Sequence, residues 1–183
     1  MAILIPILVL VALVALVFIF YFNRLVVLSN RIDNSLSQID VQLRKRADLV
    51  PNLISTVKGY AKHESAAIAK VVAARQAMVG AKDIVSKMKA GNHLEGALKS
   101  IFALAENYPQ LKANENFLQL QEELSAIEDK VAYARQFYND SILSYNDTVK
   151  TFPGNMFANL YRKKEKEYLK IPEATRAVPK VEF

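Results

Sequence analysis

Residues 1–22 carry no charged side chain, and Pro6 is the only strong helix breaker among them. At about 1.5 Å per residue such a helix reaches about 33 Å, enough to cross the hydrocarbon core of a bilayer. A cleaved leader is the competing reading. No cationic stretch precedes the run, however, the run is long for the apolar part of a leader, and no small-x-small site follows it. Residues 1–23 are therefore expected to form a transmembrane helix. Lysine and arginine flanking a span are retained on the cytoplasmic side. None precedes this span, whereas Arg24, Arg31, Arg44, Lys45 and Arg46 follow it. The expectation is an outward-facing N-terminus and a cytoplasmic remainder.

The rest of the chain reads as all-α. Turn formers are few, with five glycines and six prolines, and the absence of cysteine excludes disulfide staples and thiolate chemistry. Counting in sevens, Leu25, Ile32, Ile39, Arg46 and Leu53 form one series, and Leu43, Val50, Val57, Glu64, Val71 and Met78 another. Together they make the a/d stripe of a long amphipathic helix. The phase does not slip at Pro51, so a kink near Asp48 and Pro51 is expected rather than a reversal. Asp48 capping a new helix, with Pro51 in its first turn, is the alternative. Gly80, Gly91 and Asn92 read as punctuation before a short connecting helix. A third pattern, Phe117, Leu124, Val131, Tyr138, Tyr145 and Phe152, ends at Pro153 and Gly154. Two long helices of this kind predict an antiparallel bundle over residues 24–153. Residues 154–183 are expected to hold a short helix and a loosely packed tail.

Charges on an apolar stripe need partners. Antiparallel packing predicts crossed ion pairs, Glu64 with Arg135 and Arg75 with Glu128. Arg46 also falls on the stripe, while Arg44 and Lys45 face outward. The pairs Tyr138-Asn139 and Tyr145-Asn146 recur seven residues apart and read as register-setting packing residues. Arg24, Arg162, Lys163, Lys164 and Lys166 are candidate contacts to anionic headgroups. Arg44, by contrast, lies about 33 Å beyond Phe22 along a straight helix, several Debye lengths of about 8 Å away.

Catalytic constellations are poor. His63-Glu64 begins like a zinc-protease HExxH helix, but Ala67 stands where the second histidine belongs. His93 reads as a loop residue with no partner ligand. Glu122-Glu123 and Glu128-Asp129 read as an acidic helix face. No phosphate-binding or dinucleotide-binding glycine pattern occurs, and neither a cofactor nor a metal is implied. The net charge of +6 is spread among acids without a nucleic-acid motif, so no nucleic acid is expected as a partner.

Three stretches resemble the LemA family: RIDNSLSQIDVQLRKRADLVPNLISTVKGYAKHE, YPQLKANENFLQLQEEL and ARQFYNDSILSYNDTVKTFP. Position 47 is alanine where many members carry histidine, and the chain diverges after Phe152. The resemblance implies a bacterial protein with one N-terminal membrane helix and a cytoplasmic bundle of long antiparallel helices, and it carries over no enzymatic residue. The expected function is a non-enzymatic, membrane-tethered scaffold that self-associates, with membrane lipid and further copies of itself as partners. The alternative is an adaptor or sensor that binds a client protein or peptide between its helices.

Overall fold

The computed structural model describes residues 4–169 of the 183. The described chain is built of helices: α1 (Leu4–Tyr60), α2 (Ser65–Gly80), α3 (Ile84–Ala105), α4 (Pro109–Lys112), α5 (Glu115–Lys150) and α6 (Gly154–Leu160). They fall into two compact units. One takes residues 35–135, and the other takes residues 4–34 with residues 136–169.

In the unit of residues 35–135, Ile39, Leu43, Val50, Leu53 and Val57 of α1 are buried, as the stripe predicts. The helix passes through Pro51 without a break. It stops at Tyr60, ten residues beyond Val50, and Ala61 to Glu64 form a turn before α2. The expected continuous helix to Met78 is therefore two helices. Glu64 and Arg75 belong to the turn and to α2, which packs on α3 rather than continuing the axis of α1. Gly91 and Asn92, expected to punctuate a loop, lie inside α3, as does His93. A Cβ on Gly91 would stand 2.7 Å from a Leu43 methyl, so glycine here allows α3 to approach α1 closely. Asp83 caps α3 by accepting from the Ser86 amide at 2.9 Å, and the Ser86 hydroxyl together with that amide holds its carboxyl below the ordinary carboxylate range. Asn114 caps α5 in the same way, accepting from the Phe117 amide at 3.0 Å and donating to Tyr60 at 3.1 Å.

In the other unit, Leu25, Leu28 and Ile32 of α1 are buried, as are Tyr138, Ile142 and Tyr145 of α5. Arg24 donates to Thr148 at 3.2 Å and the Asp33 charge acts on Tyr138, so the two helix segments run antiparallel here. Phe152, expected on the stripe of α5, lies beyond its last residue and is 79% exposed. The chain reverses through a cis Phe152–Pro153 bond into α6. A Cβ on Gly154 would lie 2.1 Å from the Thr148 carbonyl oxygen, so no larger residue fits this turn. Phe157 then stacks on Tyr21 at 4.9 Å and meets the edge of Phe18 at 4.8 Å, seating α6 against the end of the apolar run. That run is long and apolar enough to cross a membrane, and its side chains are not buried within the protein.

Candidate functional site

Pro51 has no amide hydrogen, so the carbonyl it would have bonded four residues earlier, that of Ala47, is left without its helical partner. Ala47 is buried, and an unpaired buried acceptor costs about 1–3 kcal/mol. Arg75 of α2 supplies the donor: its Nε bonds the Ala47 oxygen at 2.8 Å. The proline inside α1 and the arginine one helix later are thus one device. It lets the helix continue and fixes where α2 lies on it. Around this contact is an open groove of about 310 Å³, lined among others by Asp40, Arg44, Asp48, Arg75 and Lys87. Lys87 bonds Asp40 at 2.6 Å, and Arg44 stands 3.5 Å from the same carboxylate.

A second polar cluster lies deeper among α1, α3 and α5. Arg46 is almost wholly buried, donating to the Gly91 carbonyl at 3.4 Å and lying 3.6 Å from Glu95. Burial lowers its guanidinium pKa, opposed by Glu95 and Glu128. Arg135 donates to the Asn92 side chain at 2.7 Å, while its Nε is buried without a partner. Its pKa is lowered by burial, with Glu95 opposing and Arg46 adding to the effect. Lys99 bridges the two acids, donating to Glu95 at 2.8 Å and to Glu128 at 3.1 Å. Burial pushes the Glu95 carboxyl up, but the bond from Lys99 and the Lys99 and Arg46 charges outweigh it, and the group sits below its usual range. The same bonds raise Lys99. The cluster holds three cations against two carboxylates, and Arg46, Glu95, Lys99 and Glu128 line a cavity of about 70 Å³. Its chemistry is that of fixed charge holding three helices in register.

The expected crossed pairs are not formed. Glu64 accepts from the Tyr108 hydroxyl at 2.9 Å, Arg75 is on the Ala47 carbonyl, Glu128 is on Lys99 and Arg135 is on Asn92. The reason is the turn after Tyr60, which removes Glu64 and Arg75 from the axis of α1. The residues missed in the sequence are Asn92, Glu95 and Lys99. Glu95 and Lys99 stand at i and i+4 on one helix face, a recognisable pair once Gly91 is read as helical.

In the unit of residues 4–34 and 136–169, the recurring tyrosine-asparagine pairs do more than pack. The chain leaves α6 by a Schellman turn, in which the Lys163 amide reaches the Ala158 carbonyl at 2.8 Å and the Arg162 amide reaches that of Asn159 at 3.1 Å. Arg162 takes the left-handed position of that turn at φ 52°, a place that favours glycine. Residues 163–169 then run along α5, antiparallel to it. Asn146 accepts from the Lys166 amide and donates to the Lys166 carbonyl, both at 2.9 Å. Asn139 does the same with Leu169, at 3.0 and 3.3 Å. The Tyr138 hydroxyl donates to the Glu167 carbonyl at 3.3 Å, and burial raises its pKa. Tyr145 is raised by burial as well. This part of the expected loose tail is held in place; residues 170–183 lie outside the described residues.

Of the candidate headgroup contacts, Arg24 is engaged with Thr148. Lys166 turns inward, with its ammonium 3.3 Å from the Ser29 hydroxyl and 5.3 Å from the centre of the Tyr145 ring. Arg162, Lys163 and Lys164 are exposed.

The model of the LemA family matches residues 35–183. Protein LemA of Metamycoplasma hominis is 26% identical over 147 residues, covering 76% of this chain and 67% of the relative. The match takes in α1 from residue 35 through Pro51, the arginine that completes it, the charge cluster around Arg46 and both asparagines. The chain belongs to the LemA family.

Proposed function

We propose that this protein is a membrane-anchored, non-enzymatic scaffold that self-associates at the cytoplasmic face of a bacterial inner membrane and organises that surface. The observation that carries the anchor is the bare apolar start of α1 together with the aromatic collar at its end. Leu4, Leu8 and Leu16 are each more than 60% exposed, a state that water penalises and a bilayer rewards. Where the run ends, Phe18 and Tyr21 receive Phe157 of α6, and Tyr161 meets Phe22 at 5.4 Å. Aromatic residues favour the membrane interface, and α6 leaves Met156 and Leu160 on its free side at 61 and 60% exposure. Arg162, Lys163 and Lys164 follow immediately, where each cation near an anionic surface contributes about 1 kcal/mol. Ala12 and Ala15 support close approach of spans from neighbouring copies.

The chain has no cysteine, so single cysteines report topology directly. Lys164→Cys is expected to resist a membrane-impermeant maleimide in intact cells and to react once they are permeabilised. Reaction in intact cells would place this region outside and overturn the reading. The alternative, an adaptor for a polar peptide or client protein, is favoured by the mixed-charge groove beside Arg75. A client retained by the purified monomer and lost on Asp48→Lys would support the adaptor.

A further inference from the structure

The two asparagines on α5 treat the chain beside them in one way. Each gives its amide N–H to a residue's carbonyl and takes the same residue's N–H, so Asn146 and Asn139 read backbone and not side chain. Their spacing fits that task. Seven residues of α-helix advance about 10.5 Å, and three residues of extended chain cover about 9–11 Å. Successive anchor points on a chain of this pitch therefore fall on residues three apart, as Lys166 and Leu169 do.

Between the anchors the side chains turn away: Glu167 and Tyr168 are exposed, whereas Lys166 and Leu169 are half-buried. Lys166 places its ammonium over the Tyr145 ring and against Ser29, giving the first anchor a preference for a cation. Leu169, half-buried, occupies the second. Glu165 adds a bond to Lys150 at 2.8 Å just outside the anchors. The site thus takes an extended peptide of the form Lys-x-x-Leu, running antiparallel to α5. The occupant is joined to α6 through the turn at Arg162, from which the segment departs.

We infer that Asn139 and Asn146 form a docking site for an extended Lys-x-x-Leu segment, filled within one chain by residues 166–169, and that the same segment of a second copy is the ligand that replaces it. The second copy is favoured because its segment carries every group that the site is seen to engage. The exchange deepens the self-association proposed above and rests on it. A tethered occupant competes at an effective concentration of about millimolar, so exchange between intact copies is suppressed until copies are crowded in a membrane.

Two full-length variants remove that competition. One carries Asn139→Ala and Asn146→Ala, leaving its segment free; the other has residues 163–169 replaced by glycine and serine, leaving its site free. Mixed in detergent, the two are expected to co-purify at least tenfold better than either variant does with itself. An excess of synthetic peptide covering residues 163–169 is expected to dissolve the pair, and the same peptide with Lys166→Ala and Leu169→Ala is expected to leave it intact. Circular dichroism checks that both variants remain helical. Should they not, the peptide is titrated against the full-length Lys166→Ala, Leu169→Ala protein, where saturable binding is expected. Co-purification no better in the mixed pair, or no saturable binding, overturns the inference. Oligomerisation of the unaltered chain, measured separately, shows whether self-association by another surface survives that result.

Discussion

Pro51 and Arg75 are far apart in sequence and act on one atom, the Ala47 carbonyl oxygen. Arg75→Ala is expected to lower stability by about 1–3 kcal/mol, because it leaves a buried acceptor unpaired. In a Pro51→Ala background the restored amide bonds that carbonyl, and the same substitution is expected to cost less. Chemical denaturation of the four proteins of this cycle tests the coupling, and additive costs would contradict it. Arg162 gives a second residue-scale prediction. Glycine at this left-handed position relieves a cost of about 1 kcal/mol, so Arg162→Gly is expected to raise the unfolding midpoint. Glu95 gives a third. Its folded carboxyl lies below the ordinary range, so it contributes stability above the unfolded value that is lost as pH falls through the folded one. Lys99 is raised, so its contribution is present at neutral pH and lost only in strong alkali. Glu95→Gln is therefore expected to flatten the acid limb of the stability profile and, because Glu95 is the largest cause of the Lys99 shift, to weaken the alkaline limb as well, as pH-dependent denaturation would report.

Among the helices, the buried stripe of α1 from Leu25 to Val57 and that of α5 from Phe117 to Tyr145 follow the sevenfold count read in the sequence. Periodicity reports which face is buried, and a long helix repeats that statement many times. It does not report where a helix stops. Ala61 to Glu64 interrupt the pattern for only one turn, and the count resumes at Val71 and Met78 because α2 also buries one face. Gly91 misled in the opposite direction. Glycine in a helix is costly unless something needs the space, and the Leu43 side chain that needs it lies 48 residues away. Gly91→Ala is accordingly expected to destabilise by about 1–3 kcal/mol through overpacking, with Leu43→Val in the same chain recovering part of the loss. The asparagine contacts were invisible for the same reason. Recurrence of Tyr-Asn at seven residues marks one face of α5, but the face alone does not name the extended segment that lies on it.

For the whole molecule, one helix passes from a bare apolar segment into a packed helical unit, and the chain returns to that segment through α6. A fold that leaves its most apolar residues outside is incomplete in water and complete in a bilayer, and the anchor and the assembly are proposed together on that ground. The direct test is the native mass of the full chain after extraction into detergent and after reconstitution in lipid nanodiscs. A discrete oligomer of fixed copy number is expected in both. A monomer in both, at every concentration measured, would contradict it.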